Sequence, residues 1–122
     1  MNSDVTALRS IAQTYFDAAY DMDADKFASL FHPSSSVTRI GQDSDVSVTP
    51  IATWLAVVRG TTSPRQQGFD RDDQILSIDV EKDLAVLKVK LQVPPRVFTD
   101  MLSCLKVQGT WKIVQKVMIS NA

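Results

Sequence analysis

The sequence predicts an α+β domain in which N-terminal helices cover a curved antiparallel sheet, and three observations carry that prediction. Apolar residues recur at steps of three and four through the first part of the chain. From Gln74 onward the chain falls into four stretches of β-type sequence. Those stretches are separated only by Glu81-Lys82-Asp83, Pro94-Pro95 and Gln108-Gly109, connections that can join nothing but antiparallel neighbours.

Val5, Leu8, Ala12, Tyr15 and Ala19, with Ile11 and Phe16 widening the stripe, make residues 4–20 an amphipathic helix that Ser3 or Asp4 can cap. After Asp21-Met22-Asp23, a shorter helix carries Phe27, Leu30 and Phe31 on one face. It stops at His32-Pro33, because proline disfavours a helical predecessor. Ser36 to Ile40 is β-compatible. Thr49-Pro50 then opens a third helix, with Thr49 as cap, Pro50 at the first helical position, Gly60 past the end, and Ile51, Trp54, Leu55 and Val58 as its stripe. Residues 60–73 have no period and read as a mobile loop. The strands are Gln74 to Glu81, Leu84 to Val93, Arg96 to Val107 and Thr110 to Ile119.

In the strand from Leu84 to Val93 the odd positions are apolar and Lys88, Lys90 and Gln92 oppose them, the pattern of a half-buried strand. The next strand is apolar on both faces, with Val97, Met101, Leu105 and Val107 on one and Phe98, Leu102 and Cys104 on the other. Helices can cover only one side. A second subunit is therefore expected against the outer face, assigned to Phe98, Leu102 and Cys104, giving a homodimer. Asp100 shares their parity and is expected outside with them, paired to a lysine at the dimer interface.

A length of 122 residues accommodates one core, so residues 1–122 are read as a single domain. A formal charge of −1 offers no footprint for a phosphate backbone or an anionic lipid surface, so neither nucleic acid nor membrane is an expected partner. The start Met1-Asn2-Ser3-Asp4 lacks a signal-peptide pattern and Cys104 has no partner cysteine, which points to the cytoplasm. One His and one Cys cannot build a typical structural zinc site, whose ligands come as Cys and His sets of four, and no glycine-rich phosphate loop or nucleophile elbow is present; no metal and no cofactor are expected. Cys104 reads as a packing cysteine. His32 reads as an imidazole on the last carbonyls of the second helix, the alternative being a proton shuttle near neutral pH.

The order helix, helix, short strand, helix and four-stranded meander, closing on Gly109-Thr110-Trp111-Lys112-Ile113-Val114, resembles the nuclear transport factor 2-like superfamily. Tyr15-Phe16-Asp17, Leu30-Phe31-His32-Pro33, Ile78-Asp79-Val80 and the run from Phe98 to Val107 look most like its bacterial branch of SnoaL-like or "putative lumazine-binding" proteins. The likeness spans nearly the whole chain. It implies a cone-shaped domain, three N-terminal helices packed on a curved mixed or antiparallel sheet, enclosing a pocket and commonly dimeric through the outer sheet face. In ketosteroid isomerases of the superfamily the chemistry uses a tyrosine on the first helix, a carboxylate base at the end of the first strand and a protonated carboxylic acid on the penultimate strand. Carried over by spacing, Tyr15 falls on the tyrosine, Arg39 on the base and Ser103 on the acid. An arginine cannot abstract a proton and a serine is a far weaker acid than a carboxyl, so steroid isomerisation is disfavoured.

The resemblance places the ligand-binding candidates Tyr15, Phe31, Arg39, Trp54, Met101, Ser103 and Leu105 around that pocket. Arg39 carries two readings: a guanidinium selecting a carboxylate inside the pocket, or a solvated arginine at a strand end. The expected function is a small-molecule-binding domain for an apolar or weakly acidic molecule. Its rivals are a SnoaL-like acid/base isomerase, cyclase or dehydratase, and a dimeric assembly module. Whether the chain is an enzyme stays open at this point; a carboxylate or the histidine reaching the pocket floor would separate the first two.

Overall fold

A computed structural model describes residues 2–121. Met1 and Ala122, the ends of the expected domain, lie outside the described residues. Helix α1 (Asn2–Asp21) is followed by the short α2 (Ala24–Ala28), the hairpin β1 (Ser36–Ile40) and β2 (Val46–Pro50), then α3 (Ile51–Arg59). The meander β3 (Asp73–Glu81), β4 (Leu84–Val93), β5 (Arg96–Val107) and β6 (Thr110–Asn121) completes the chain. Together the strands form one six-stranded sheet in the order β2-β1-β6-β5-β4-β3. All neighbours are antiparallel except β1 and β6, so the sheet is mixed.

The helical stripe lands as its period requires. Leu8, Ala12, Tyr15, Phe16 and Ala19 are all buried, and α1 lies over β3 and β4 while α3 lies over β1 and β2. The helix begins at Asn2, so Ser3 and Asp4 stand inside its first turn rather than capping it. Asp4 instead accepts from Lys106 Nζ at 3.0 Å and from Trp111 Nε1 at 3.2 Å, fastening the start of α1 to the β5–β6 end of the sheet. Asp23 caps α2 by accepting from the Lys26 N–H at 3.1 Å.

The second helix is shorter than its apolar face suggests. It ends at Ala28, and Leu30 to His32 run beside β6 instead, the Leu30 carbonyl accepting from Ile113 N–H and the His32 N–H donating to the Ile113 carbonyl, each at 2.8 Å. Strand β2 was hidden in a stretch without assigned structure, and its last residue, Pro50, is the N-cap of α3, which therefore starts one residue later than the Thr49 cap implied. The segment 60–72 has no regular structure but is strapped to α1. Arg65 pairs with Asp21, Arg71 with Asp17 at 2.8 Å, and the Tyr20 hydroxyl donates to the Phe69 carbonyl at 2.6 Å. Both guanidiniums lie over the Tyr20 ring, at 4.8 and 5.3 Å from its centroid.

The faces of β5 are the reverse of the sequence expectation. Its turn to β4 pairs Val93 with Arg96, Leu91 with Phe98, Val89 with Asp100 and Leu87 with Leu102. Directly paired residues share a face, and the odd residues of β4 are the buried ones. Phe98, Asp100, Leu102 and Cys104 therefore lie under the helices, whereas Met101, Leu105 and Val107 are exposed on the open face. Exposed Leu76, Val117 and Ile119 join them beside Lys88 and Lys90, so the open face does carry apolar side chains, but a different set. Gln108 and Gly109 both have positive φ, 51° and 82°, the conformation of a two-residue type I′ hairpin turn, which fits the twist of β5 and β6. No helix of the described residues is long and apolar enough to cross a membrane.

Candidate functional site

Between the helices and the covered sheet face lies a cavity of about 350 Å³ whose polar groups come from Tyr15, Arg39, Thr61, Arg96, Asp100 and Lys116, with Trp54 on its wall. Each arrives by a simple placement. Tyr15 is the buried heart of the α1 stripe. Asp100 sits opposite Val89, at the middle of β5. Val37 of β1 pairs with Lys116 of β6, and Arg39 lies two residues further along the same face. Lys116 reaches this face because the β5–β6 register shifts between Ser103 and Cys104, where Cys104 pairs with Ile113 but Ser103 with Gln115. The extra residue, Val114, is a β-bulge, after which even rather than odd positions of β6 face inward.

The centre of the site is a chain of three groups. Tyr15 Oη donates to Asp100 Oδ2 at 2.6 Å, and Lys116 Nζ stands 3.7 Å from the same oxygen. Asp100 and Lys116 are only 1% and 3% exposed. Burial, and the Asp100 carboxylate beside it, hold the Tyr15 phenol well above its ordinary pKa, so it remains a donor. Burial pulls the Lys116 ammonium down, the Asp100 charge opposes that pull, and the Arg39 charge adds to it. Asp100 Oδ1 is buried and has no hydrogen-bond partner among the described residues. A buried oxygen of that kind carries a desolvation penalty that a bound donor would relieve.

Aromatic rings build the wall. Lys116 Nζ lies over Trp54 at 4.1 Å from the ring centroid, and Phe27 meets both Tyr15 and Trp54 edge-on, at 5.2 and 4.9 Å. Arg39 and Arg96 line both the cavity and an adjoining polar depression with Gln42 and Ser47, so they mark its mouth. Neither arginine forms an ion pair among the described residues.

Of the sequence candidates, the structure brings Tyr15, Arg39 and Trp54 together on the cavity. Phe31 stands one layer behind, buried against Trp54 at 5.9 Å and Tyr15 at 6.5 Å. Met101, Ser103 and Leu105 do not join them, because the β4–β5 register turns odd positions of β5 to the open face, where Met101 and Leu105 are 46% and 41% exposed. The carboxyl group that meets Tyr15 is Asp100, not the Ser103 position, and it lies inside rather than at an outer interface. Sequence reasoning placed Asp100 on the wrong face and missed Lys116 and Arg96. The first was recoverable from the hairpin register; the bulge concealed the second.

His32 is away from the cavity. Its Nδ1 accepts from the Ser34 N–H at 3.2 Å and lies 2.7 Å from the Ser34 hydroxyl, so the ring caps the following turn rather than the helix end. Cys104 is fully buried and its thiol is pushed up to about 12 by burial, which leaves it inert as a nucleophile. Among the described residues no three His, Cys, Asp or Glu side chains gather as a metal site would require.

Residues 3–118 match the model of the family described as "Putative lumazine-binding". No curated protein matches the chain. Several solved structures share its fold. An NTF2-like protein of unknown function from Silicibacter pomeroyi is 22% identical, with 98% of each chain covered and a TM-score of 0.86. Another from Shewanella baltica is 19% identical over 98% of this chain and 95% of that one, with a TM-score of 0.89. A ketosteroid isomerase-like protein from Erwinia carotovora atroseptica is 14% identical over 100% and 99%, with a TM-score of 0.76.

Proposed function

The chain belongs to the family described as "Putative lumazine-binding", and from that premise we propose that it is a small-molecule-binding domain whose ligand is an organic acid lodged in the helix-covered cavity. The observation that carries this reading is the pair Arg39 and Arg96 at the mouth of an apolar cavity, both without an ion-pair partner among the described residues. Two guanidiniums without carboxylates favour an anion, and a planar carboxylate suits their fork of donors. Behind them, Trp54, Phe98 and Leu91 offer an apolar bed. At about 350 Å³ the cavity is at the small end of ligand pockets, which limits the ligand to a few rings.

The test is a thermal-shift screen of small aromatic and aliphatic carboxylic acids beside their methyl esters. Lumazine, itself a flat weak acid, belongs in the same set. Acids should raise the melting temperature and their esters should not. Equal shifts for acid and ester would remove the arginines from the account.

A second reading, SnoaL-like acid/base isomerisation, cyclisation or dehydration, is supported by one specific feature. Asp100 is a carboxyl on the cavity with one oxygen held by Tyr15 and the other without a partner among the described residues, the arrangement a proton-transferring group needs. Turnover of a bound acid that stops in Asp100→Asn would move the protein to this class.

For the assembly, we propose a homodimer through the open sheet face. The support is the apolar set Leu76, Met101, Leu105, Val117 and Ile119, in place of the residues first assigned to that role.

A further inference from the structure

We propose that Lys116 is a covalent attachment point: its Nζ forms a reversible imine with an aldehyde or ketone whose acidic group rests at the arginine-lined mouth. The inference rests on the reading of the cavity as a site for organic acids. Three features of the geometry point to it. Lys116 is 3% exposed yet lines the cavity, so its amine faces a bound molecule rather than solvent. A buried lysine kept for structure normally spends its three donors on hydrogen bonds. Among the described residues Nζ has the Asp100 oxygen at 3.7 Å, beyond ordinary hydrogen-bond reach, and the faces of Trp54 and Tyr15 at 4.1 and 5.3 Å from the ring centroids. Finally, a carboxyl group stands beside the amine, held from its other side by the Tyr15 phenol.

Those neighbours supply what imine formation needs. The ammonium proton passes to Asp100, giving a neutral amine and a neutral acid, a pair that a buried site tolerates better than separated charges. The Nζ lone pair forms a bond to the carbonyl carbon, and the carbonyl oxygen takes the Asp100 proton. The resulting N–H₂ centre returns a proton to the carboxylate. Asp100 then gives that proton to the hydroxyl, which leaves as water while the nitrogen lone pair forms the C=N bond. The product is a protonated imine against the Asp100 carboxylate, with water as the only other product and no oxidant or reductant consumed. Burial and the Arg39 charge, by lowering the Lys116 pKa against the pull of Asp100, enlarge the neutral-amine fraction.

The full chain is incubated near neutral pH with 4-carboxybenzaldehyde or pyruvate in the presence of sodium cyanoborohydride, which reduces an imine to a stable amine. Peptide masses locate the adducts. Burial lowers the Lys116 pKa and so enlarges its free-amine fraction; Lys116 should therefore be labelled faster than the exposed Lys88 and Lys90. The Lys116→Arg variant, which keeps the charge, should lose that fast adduct and retain the slow surface labelling. Labelling confined to surface lysines, with Lys116 bare in the wild type, overturns the inference. The melting shift given by 4-(hydroxymethyl)benzoate, an acid without a carbonyl to attack, reports separately on the binding reading. A shift there with no Lys116 adduct sinks the imine alone, and no shift with no adduct sinks both.

Discussion

Tyr15 on α1 donates its phenolic hydrogen to Asp100 on β5 over 2.6 Å, joining two residues 85 positions apart and tying the first helix to the covered face of the sheet. The carboxylate is also the only counter-charge that the buried Lys116 has among the described residues. One side chain thus anchors the helix, balances a cation and presents an oxygen to the cavity.

Removing that charge alone should be costly. Asp100→Asn leaves the ammonium buried without a partner, a change expected to lower stability by about 3–5 kcal/mol. Replacing the pair with apolar groups of similar size is often neutral or better. Asp100→Leu combined with Lys116→Met should therefore be more stable than Asp100→Asn. Urea unfolding of the wild type, Asp100→Asn, Asp100→Leu, Lys116→Met and the double variant checks it. A double variant as weak as the sum of its singles would mean that the two charges do not act as a pair.

Arg39→Met should erase most of the preference for acids over esters while leaving the melting temperature of the free protein nearly unchanged. The guanidinium is half-buried and unpaired among the described residues, so its removal deletes no internal contact of that kind. A lost charge-assisted hydrogen bond amounts to about 1.5–3 kcal/mol, roughly ten- to a hundred-fold in affinity. Calorimetric titration with the best acid of the screen would measure it. An unchanged affinity would return Arg39 to the role of a solvated strand-end residue.

The meander was legible because each of its strands is bounded by residues that can only turn, and the observed β3 to β6 differ from the expected spans by no more than a residue or two at the ends. The faces of β5 were misassigned from its own composition, which is apolar on both sides. Its neighbour held the answer. With odd residues of β4 buried and a two-residue connection pairing Val93 with Arg96, even residues of β5 had to lie beneath the helices, and Asp100 with them.

Lys116 had no such signal. Trp111 and Ile113 set an odd parity that Val117 and Ile119 appear in sequence to continue, yet the bulge at Val114 hands the inner face to Lys116 and Met118. Strand β2 escaped notice for a different reason. It is a five-residue edge strand whose Val46 and Val48 are exposed, so it lacks the burial pattern that marks an inner strand. Both lapses arise from pairing, a property that a single stretch of sequence does not carry.

Alkaline pH should destabilise the protein from the range where free thiols ionise. Burial raises the Cys104 thiol from 9.0 to about 12. Between those values the unfolded thiol has lost its proton while the folded one retains it. The folded state then binds more protons, and stability falls with rising pH, by up to about 1.4 kcal/mol per pH unit. Tyr15, raised well above 10.0, adds a loss of the same sign at higher pH. Lys116, lowered from 10.5, acts in the opposite sense, since there the unfolded chain binds the extra proton. Cys104→Ala isolates the thiol: its stability should fall less steeply from pH 9 upward than that of the wild type, whatever the two absolute values at neutral pH. Parallel curves from urea unfolding at stepped pH would show that the thiol is not the group responsible.

The open sheet face should hold a second copy of the chain. Met101 of β5 pairs directly with Val117 of β6, and Leu76, Leu105 and Ile119 add further apolar side chains to this face, each 41–57% exposed, with Lys88 and Lys90 among them. Patches of this kind are uncommon on monomers, and a stable dimer buries about 800 Å² per partner, an area that one face of a six-stranded sheet can supply. Native mass spectrometry at low micromolar concentration should show a dimer. Val117→Glu places like charges against each other across a twofold interface and should give a folded monomer. Because Val117 is already exposed, its melting temperature should fall only through the lost association, and so should depend less on protein concentration than that of the wild type. A wild type that stays monomeric on concentration would leave this face without a self-partner, and a dimeric Val117→Glu would place the contact elsewhere.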